Sequence, residues 1–229
     1  MIRVLNAGHV ELKDAFGEDL KVANFARASY MRESNSLQPK DEQLIRFLGS
    51  ADPQHTAPFY SCALDFSISA PLMVARQWWK HVVASRHVED PFAAWNEGSR
   101  RYVTDRMEFY VPDAWRHRAE HGKQGSGEPL LDISQRELTT RLQQRIKTAV
   151  MDYDRALDLG CTPEQARLFL PAYGLFIHWR WVASLYSVAH FCKLRLGEGA
   201  QGEIQEYASV IARLAWERFP VAWEALLNG

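Results

Sequence analysis

The sequence is short of cysteine, with three in 229 residues, at 62, 161 and 192, and no CxxC pair. That spacing supplies neither a disulfide framework nor a structural zinc site, and it favours a reducing compartment. No run of about 18 apolar residues occurs, so no membrane-spanning helix is expected. The opening stretch MIRVLNAGHVELKD has no apolar segment of signal-peptide length, and the expected location is the cytoplasm. Neither sign of charge dominates: 27 Lys and Arg face 28 Asp and Glu, a formal net charge of −1. No global field therefore gathers nucleic acid or an acidic membrane, and any anion site must be local. Familiar site patterns are missing too. There is no GxxxxGK followed by Ser or Thr, no GxGxxG after a strand and no GxSxG elbow. The eight His never fall at HExxH spacing, so no metal is expected.

What is present is apolar bulk: 47% hydrophobic residues and eight Trp. That is enough for one domain over 1–229 with its own core, and it leaves apolar surface to hide between subunits. Residues 1 to 14 alternate as β-structure, turning at Ala7-Gly8. Residues 20 to 31 and 41 to 49 read as helices, the second stopping at Gly49. Leu64, Phe66 and Ile68 alternate with Asp65, Ser67 and Ser69, the pattern of a half-buried strand. Pro71 then opens a helix, PLMVARQWWKHVVAS, on which Gln77, Lys80 and His81 share a face. Residues 84 to 95 show no period, and RMEFYVP reads as extended. The Gly-rich stretch at 120 to 129 reads as a mobile surface loop.

A long helix is expected from Ser134 to Leu159, with Leu138, Leu142, Ile146, Val150, Tyr153 and Leu157 on its apolar face and Gly160 as its stop. Thr162, Pro163 and Gln165 form a capping box for a short helix that carries Arg167. Residues 176 to 195 read as one aromatic-rich helix, and a last helix runs from Gln201 to Arg218. The fold class is α+β, helix-dominated, with a small mixed or antiparallel sheet. Cys192 reads as a packing residue.

The stretch WNEGSRRYV at 95 to 103 fits no period. Trp95 and Tyr102 flank Asn96, Glu97, Gly98, Ser99, Arg100 and Arg101. Guanidinium forks bind phosphate and planar heterocycles, and free N–H groups at Gly98 and Ser99 suit an anion nest. Gln77, Lys80, His81, Arg167 and Arg195 add donors elsewhere. The plain alternative gives each of these groups a solvated surface role.

APLMVARQWWKHVVAS followed by WNEGSRRY resembles the signature region of flavin-dependent thymidylate synthases, which carry Arg-His-Arg, a spacer and Asn-Glu-x-Ser-x-Arg-Tyr. HTAPF near 55, EFYVP at 108, PEQARLFLP at 163, HFCKLR at 190 and AQGEIQEYA at 200 follow in the family's order, over nearly the whole chain. The resemblance implies C5 methylation of dUMP, with FAD as hydride carrier, NADPH as reductant and methylenetetrahydrofolate as carbon donor. It implies no cysteine nucleophile, and a homotetramer whose active sites form between subunits. It places Gln77, Lys80, Glu97, Gly98, Ser99, Arg100, Arg101, Arg167 and Arg195 on dUMP. Arg195 is the catalytic group among them, stabilising the N3-deprotonated uracil. It places His55, Lys80, His81, Glu97, Ser184 and His190 at or near FAD, and Val82 of the altered triplet and Arg86 are candidates beside them.

The departures are specific. The triplet is Lys80-His81-Val82, and about nine extra residues precede Asn96. Lys80 keeps the charge but loses the fork, and Val82 keeps neither. Arg86, in the inserted segment, is the candidate to return a guanidinium to the site. Ser184 and Tyr186 stand where the family has Asn and Arg. These changes leave three alternatives open: the same chemistry on UMP or dCMP, a flavin- or nucleotide-binding protein without methyl transfer, and a purely structural role.

Overall fold

A computed structural model describes residues 1–83, 92, 94–98, 106–119 and 125–228, with side chains left out at 82 and 83. Ser99, Arg100, Arg101 and Arg86 lie outside the described residues, as does the Val82 side chain.

The N-terminal alternation forms a hairpin, β1 (Ile2–Val4) and β2 (Gly8–Phe16), in which Ile2 pairs with Val10. The turn covers residues 5–7, and Gly8 is the first residue of β2. A Cβ at Gly8 would fall 1.9 Å from the Tyr207 hydroxyl oxygen. Gly8 is therefore needed for close approach rather than for turning. After α1 (Asp19–Arg27), α2 (Pro39–Ser50) and α3 (Ala57–Tyr60) comes β3 (Ala63–Pro71). Its alternation buries Leu64, Phe66 and Ile68 as expected. Pro71 is the last strand residue, and the chain passes directly into α4 (Leu72–Val83).

Three segments depart from the sequence reading here. The segment at 94 to 97, which shows no period in the sequence, forms a strand, β4 (Ala94–Glu97). Residues 176 to 195 are not one helix: β7 (Phe176–Ser184) leads into α7 (Leu185–Arg195). In β7, Trp179, Trp181 and Ala183 point inward while His178 and Arg180 point out, which is a period of two. The third concerns 126 to 129, which form β6 (Ser126–Pro129), paired with β5 (Arg116–Arg118). The main sheet is antiparallel throughout, in the order β1-β2-β3-β7-β4.

The remaining helices are α5 (Asp132–Asp158), α6 (Pro163–Ala166), α8 (Gly202–Arg218) and α9 (Pro220–Asn228). Gly160 ends the α5 segment at φ +85°, as its C-cap role requires. Thr162 Oγ1 accepts from the Gln165 N–H, so one half of the expected capping box forms. Arg167 begins a 3₁₀ turn just beyond α6. The helix α9 was not expected. Its first N–H groups, on Val221 and Ala222, each donate to the buried Asp19 carboxylate at 2.9 Å. Among the described residues no helix is long and apolar enough to cross a membrane.

The main core lies between one face of the sheet and α4, α7 and α8. Trp78 of α4 stacks on Phe191 of α7 at 4.4 Å and meets the edges of Trp179 and Trp181 at 5.5 and 5.3 Å. Trp78, Trp179, Trp181 and Trp223 are buried inside the chain itself. Half of the tryptophans therefore need no subunit contact to hide them. A smaller core gathers Phe109, Tyr153, Ala156, Ala166, Leu170 and Leu175 against α5.

Gly49 is also corrected: it lies inside α2, not at its stop. A Cβ there would sit 2.8 Å from Ala225 of α9. Gly49→Ala is expected to cost roughly 1–3 kcal/mol through overpacking. Gly202→Ala, at the open start of α8 with nothing within 4 Å, should stay within about 0.5 kcal/mol of the parent. Urea unfolding of the two variants checks the contrast.

Candidate functional site

The site is built on the two flanks of α4. Met73, Gln77 and His81 recur at spacings of four along one flank, while Leu72, Arg76 and Trp79 form a stripe on another. Between these stripes α4 turns Val74 and Trp78 into the core.

On the first flank, Gln77 Nε2 donates to Gln201 Oε1 at 2.7 Å and, more weakly, to the Met73 carbonyl at 3.4 Å. Gln201 sits at the start of α8 and at the rim of a cavity of about 390 Å³. Aromatic Phe109, Tyr110, Trp115 and Tyr173 line that cavity. Gln201 was not among the expected site residues, although its segment, AQGEIQEYA, carries part of the family resemblance. Its pairing with a residue 124 positions earlier is invisible in the sequence.

His81 turns inward and is 3% exposed. Its ring meets Phe191 edge-on at 5.2 Å and His190 at 6.1 Å. Arg195 Nε donates to His81 Nε2 at 3.2 Å. Arg195 ends α7, where the helix dipole favours a cation. Its guanidinium is half-buried, and burial lowers its pKa, with no acidic neighbour among the described residues raising it. Among the described residues its two terminal nitrogens have no partner. A cation desolvated in this way is suited to an anion or an electron-rich ring edge.

On the other flank, β4 pairs with β7, Glu97 opposite Trp179. Trp95 stacks on Trp179 at 4.8 Å, and the Gly98 N–H donates to the His178 carbonyl at 2.7 Å, so it is not free for the anion nest the sequence suggested. The cluster that fitted no period is therefore anchored as an edge strand, with its tryptophan half-buried against the core and its polar end displayed. Glu97 lines a cavity of about 140 Å³ with Leu72, Arg76, Trp79 and Trp95. Burial pushes the Glu97 carboxyl up, and the nearby Arg167 guanidinium partly offsets this. The fold thus brings Glu97 and Arg167 together from segments 70 positions apart in the 229-residue chain. Arg167 makes no hydrogen bond among the described residues.

The remaining expected residues are scattered. Lys80 is exposed on α4, and His190 is half-buried on α7. His55 is exposed and stacks over Phe47 at 5.9 Å. Beside it, a polar cleft of about 620 Å³ is lined by Asp52, Gln54, Thr56, Tyr186 and Lys193. Ser184 is fully buried, and its Oγ accepts from the Ser187 N–H to cap α7. That hydroxyl is closed off from any ligand at the surface of this chain. Cys192 is buried as a packing residue, and burial pushes its thiol far above neutrality, so it offers no thiolate nucleophile. Among the described residues no three His, Cys, Asp or Glu gather as a metal site.

Comparison with known proteins matches these features. A family model described as "Thymidylate synthase complementing protein" covers residues 11–221. The flavin-dependent thymidylate synthase of Thermus thermophilus is 38% identical over 224 residues, covering 98% of this chain and 77% of the relative. That of Anaplasma marginale is 34% identical over 229 residues, covering 99% and 74%. The solved structure of a UMP/dUMP methylase, PolB from Streptomyces cacaoi, bound with 5-Br dUMP, superposes with a TM-score of 0.81 at 27% identity, covering 99% of this chain and 97% of that one. The same protein bound with 5-Br UMP gives 0.79 at 24% identity, a likeness of fold, with 99% and 96% covered. The chain belongs to the thymidylate synthase complementing protein family, alongside the flavin-dependent thymidylate synthases.

Proposed function

We propose that this protein methylates dUMP at C5 to give dTMP, using FAD, NADPH and methylenetetrahydrofolate. The observation that carries the reading is the pair of guanidinium groups, Arg195 and Arg167, held on two flanks of α4 in a chain of this family. Neither is neutralised by an ion pair among the described residues. Together they suit the two anionic parts of a pyrimidine nucleotide, ring and phosphate.

Arg195 is the group at the ring. Its free nitrogens stabilise negative charge on N3 and O4, and that charge raises the electron density at C5, the carbon that must attack. Gln77, with both amide hydrogens engaged, offers its oxygen as an acceptor. Arg167 and Glu97 hold the phosphate and sugar, with Ser99, Arg100 and Arg101 following in the chain, while the Gly98 N–H stays engaged by the His178 carbonyl. Lys80 adds a mobile cation on the exposed side of α4. His81 and Glu97 lie on different flanks of α4, which favours a site that a second copy completes, in line with a homotetramer.

The donor set fits a flavin in part. His55 stands at a polar cleft with Thr56, Tyr186 and Lys193, and Lys80 and His190 supply further donors. Arg86 and Val82 belong to the same expected set, while Ser184 is spent on its helix cap. When bound, the flavin supplies hydride transfer. The free thiols Cys62, Cys161 and Cys192 agree with a reducing cytoplasm.

A second reading is methylation of UMP, favoured by the likeness to a UMP/dUMP methylase. Anaerobic mixing with dUMP, methylenetetrahydrofolate and NADPH should bleach a flavin spectrum, and dTMP should form as it recovers. Flavin reduction with methyl transfer to UMP alone would select the second reading, and absence of a flavin after reconstitution would reject both. Arg195→Ala should lower kcat by about 10²–10³, as loss of a transition-state charge partner does, with an unchanged melting temperature. An equal loss of folding stability would contradict its role.

A further inference from the structure

The contact between His81 and Arg195 has an unusual chemistry. A guanidinium has donors only, so the Nε2 that receives the Arg195 Nε–H must carry a lone pair. The His81 imidazole in this contact is therefore neutral, with its proton on Nδ1. Half-buried arginines usually meet a carboxylate, which orients them and cancels their charge. Here the orienting partner is uncharged. Its ring is wedged against Phe191 and turned away from solvent. Trp78, one helical position before the Trp79–Lys80–His81 run, locks α4 onto the same Phe191. Among the described residues no acidic group opposes the desolvation of Arg195. The guanidinium is thus fixed at Nε while its full charge and its two terminal nitrogens remain available.

We propose that His81 is a positioning residue for Arg195, a neutral acceptor that aims the guanidinium at an anionic pyrimidine without compensating its charge. This assigns His81 to the nucleotide side of the site rather than to the flavin. It rests on the reading of Arg195 as the group that meets the pyrimidine ring.

The isosteric pair Gln and Glu separates aim from charge. Glutamine at 81 places a neutral oxygen near the position of Nε2, and glutamate places a charged one there. Calorimetric titration of the flavin-loaded protein with dUMP, together with kcat, reads the effect. His81→Gln should remain within about threefold of the parent in Kd. His81→Glu should weaken dUMP binding by about tenfold or more, the scale of one charge-assisted contact, and should lower kcat further, with flavin content and melting temperature retained. In an Arg195→Leu background the difference between Gln and Glu should shrink to less than about twofold, because the two positions act as one unit. Equal dUMP affinities for Gln and Glu, or effects that add in the Arg195→Leu background, would overturn the proposal. So would loss of flavin in both His81 variants with dUMP affinity unchanged, which would put His81 on the cofactor. If the unsubstituted protein binds neither dUMP nor UMP, the nucleotide reading itself fails, and this is seen before any substitution is made.

Discussion

The stacking of Trp78 on Phe191 is the contact on which the rest depends. It joins α4 to α7 over the Trp179 and Trp181 edges of the sheet. Interiors pack like crystals, so a ring stack at 4.4 Å leaves each helix little freedom to rotate. With α4 fixed in rotation, His81 lies one turn along, against Phe191, and meets Arg195 at the end of α7. The same rotation sends Arg76 and Trp79 to the opposite flank, toward Trp95 and Glu97. One aromatic cluster thus sets the bearing of both halves of the site. Trp78, Trp179 and Trp181 are spent there, on precision inside the chain.

Polar residues complete the account at the edges of that core. β4 is an edge strand held by β7, and Trp95 stacks on Trp179 so that Glu97 and Gly98 emerge at a fixed place. Glu97 then faces Arg167, which enters from the turn after α6. The charged groups of the candidate site stand at the ends of elements whose interiors are apolar.

Much of this was legible in the sequence where the signal is local. The alternation through Leu64, Phe66 and Ile68 and the long period of α5 announced themselves, because burial on one face repeats along one segment. The motif residues were legible by resemblance. What was missed depends on distant partners. Residues 176 to 184 read as helix because their aromatics were counted, yet His178 and Arg180 between tryptophans carried a strand period. The segment 94 to 97 has no local pattern, and it becomes a strand only because β7 offers an open edge. Gly49 looked like a stop, whereas its reason is Ala225 on a helix far along the chain. The aim of His81 at Arg195 spans 114 positions and has no trace in spacing.

The central claim is that the Arg195 half and the Arg167 half of one chain serve different nucleotides and that each site needs two copies. Complementation tests it most directly. Arg195→Ala and Arg167→Ala proteins, each inactive alone, are mixed, dissociated and reassembled, and dTMP formation is measured. The account predicts that the mixture regains activity, because some sites then combine an intact Arg195 from one copy with an intact Arg167 from another. A reassembled mixture as inactive as its parts would contradict it and would return both arginines to a single chain's own site.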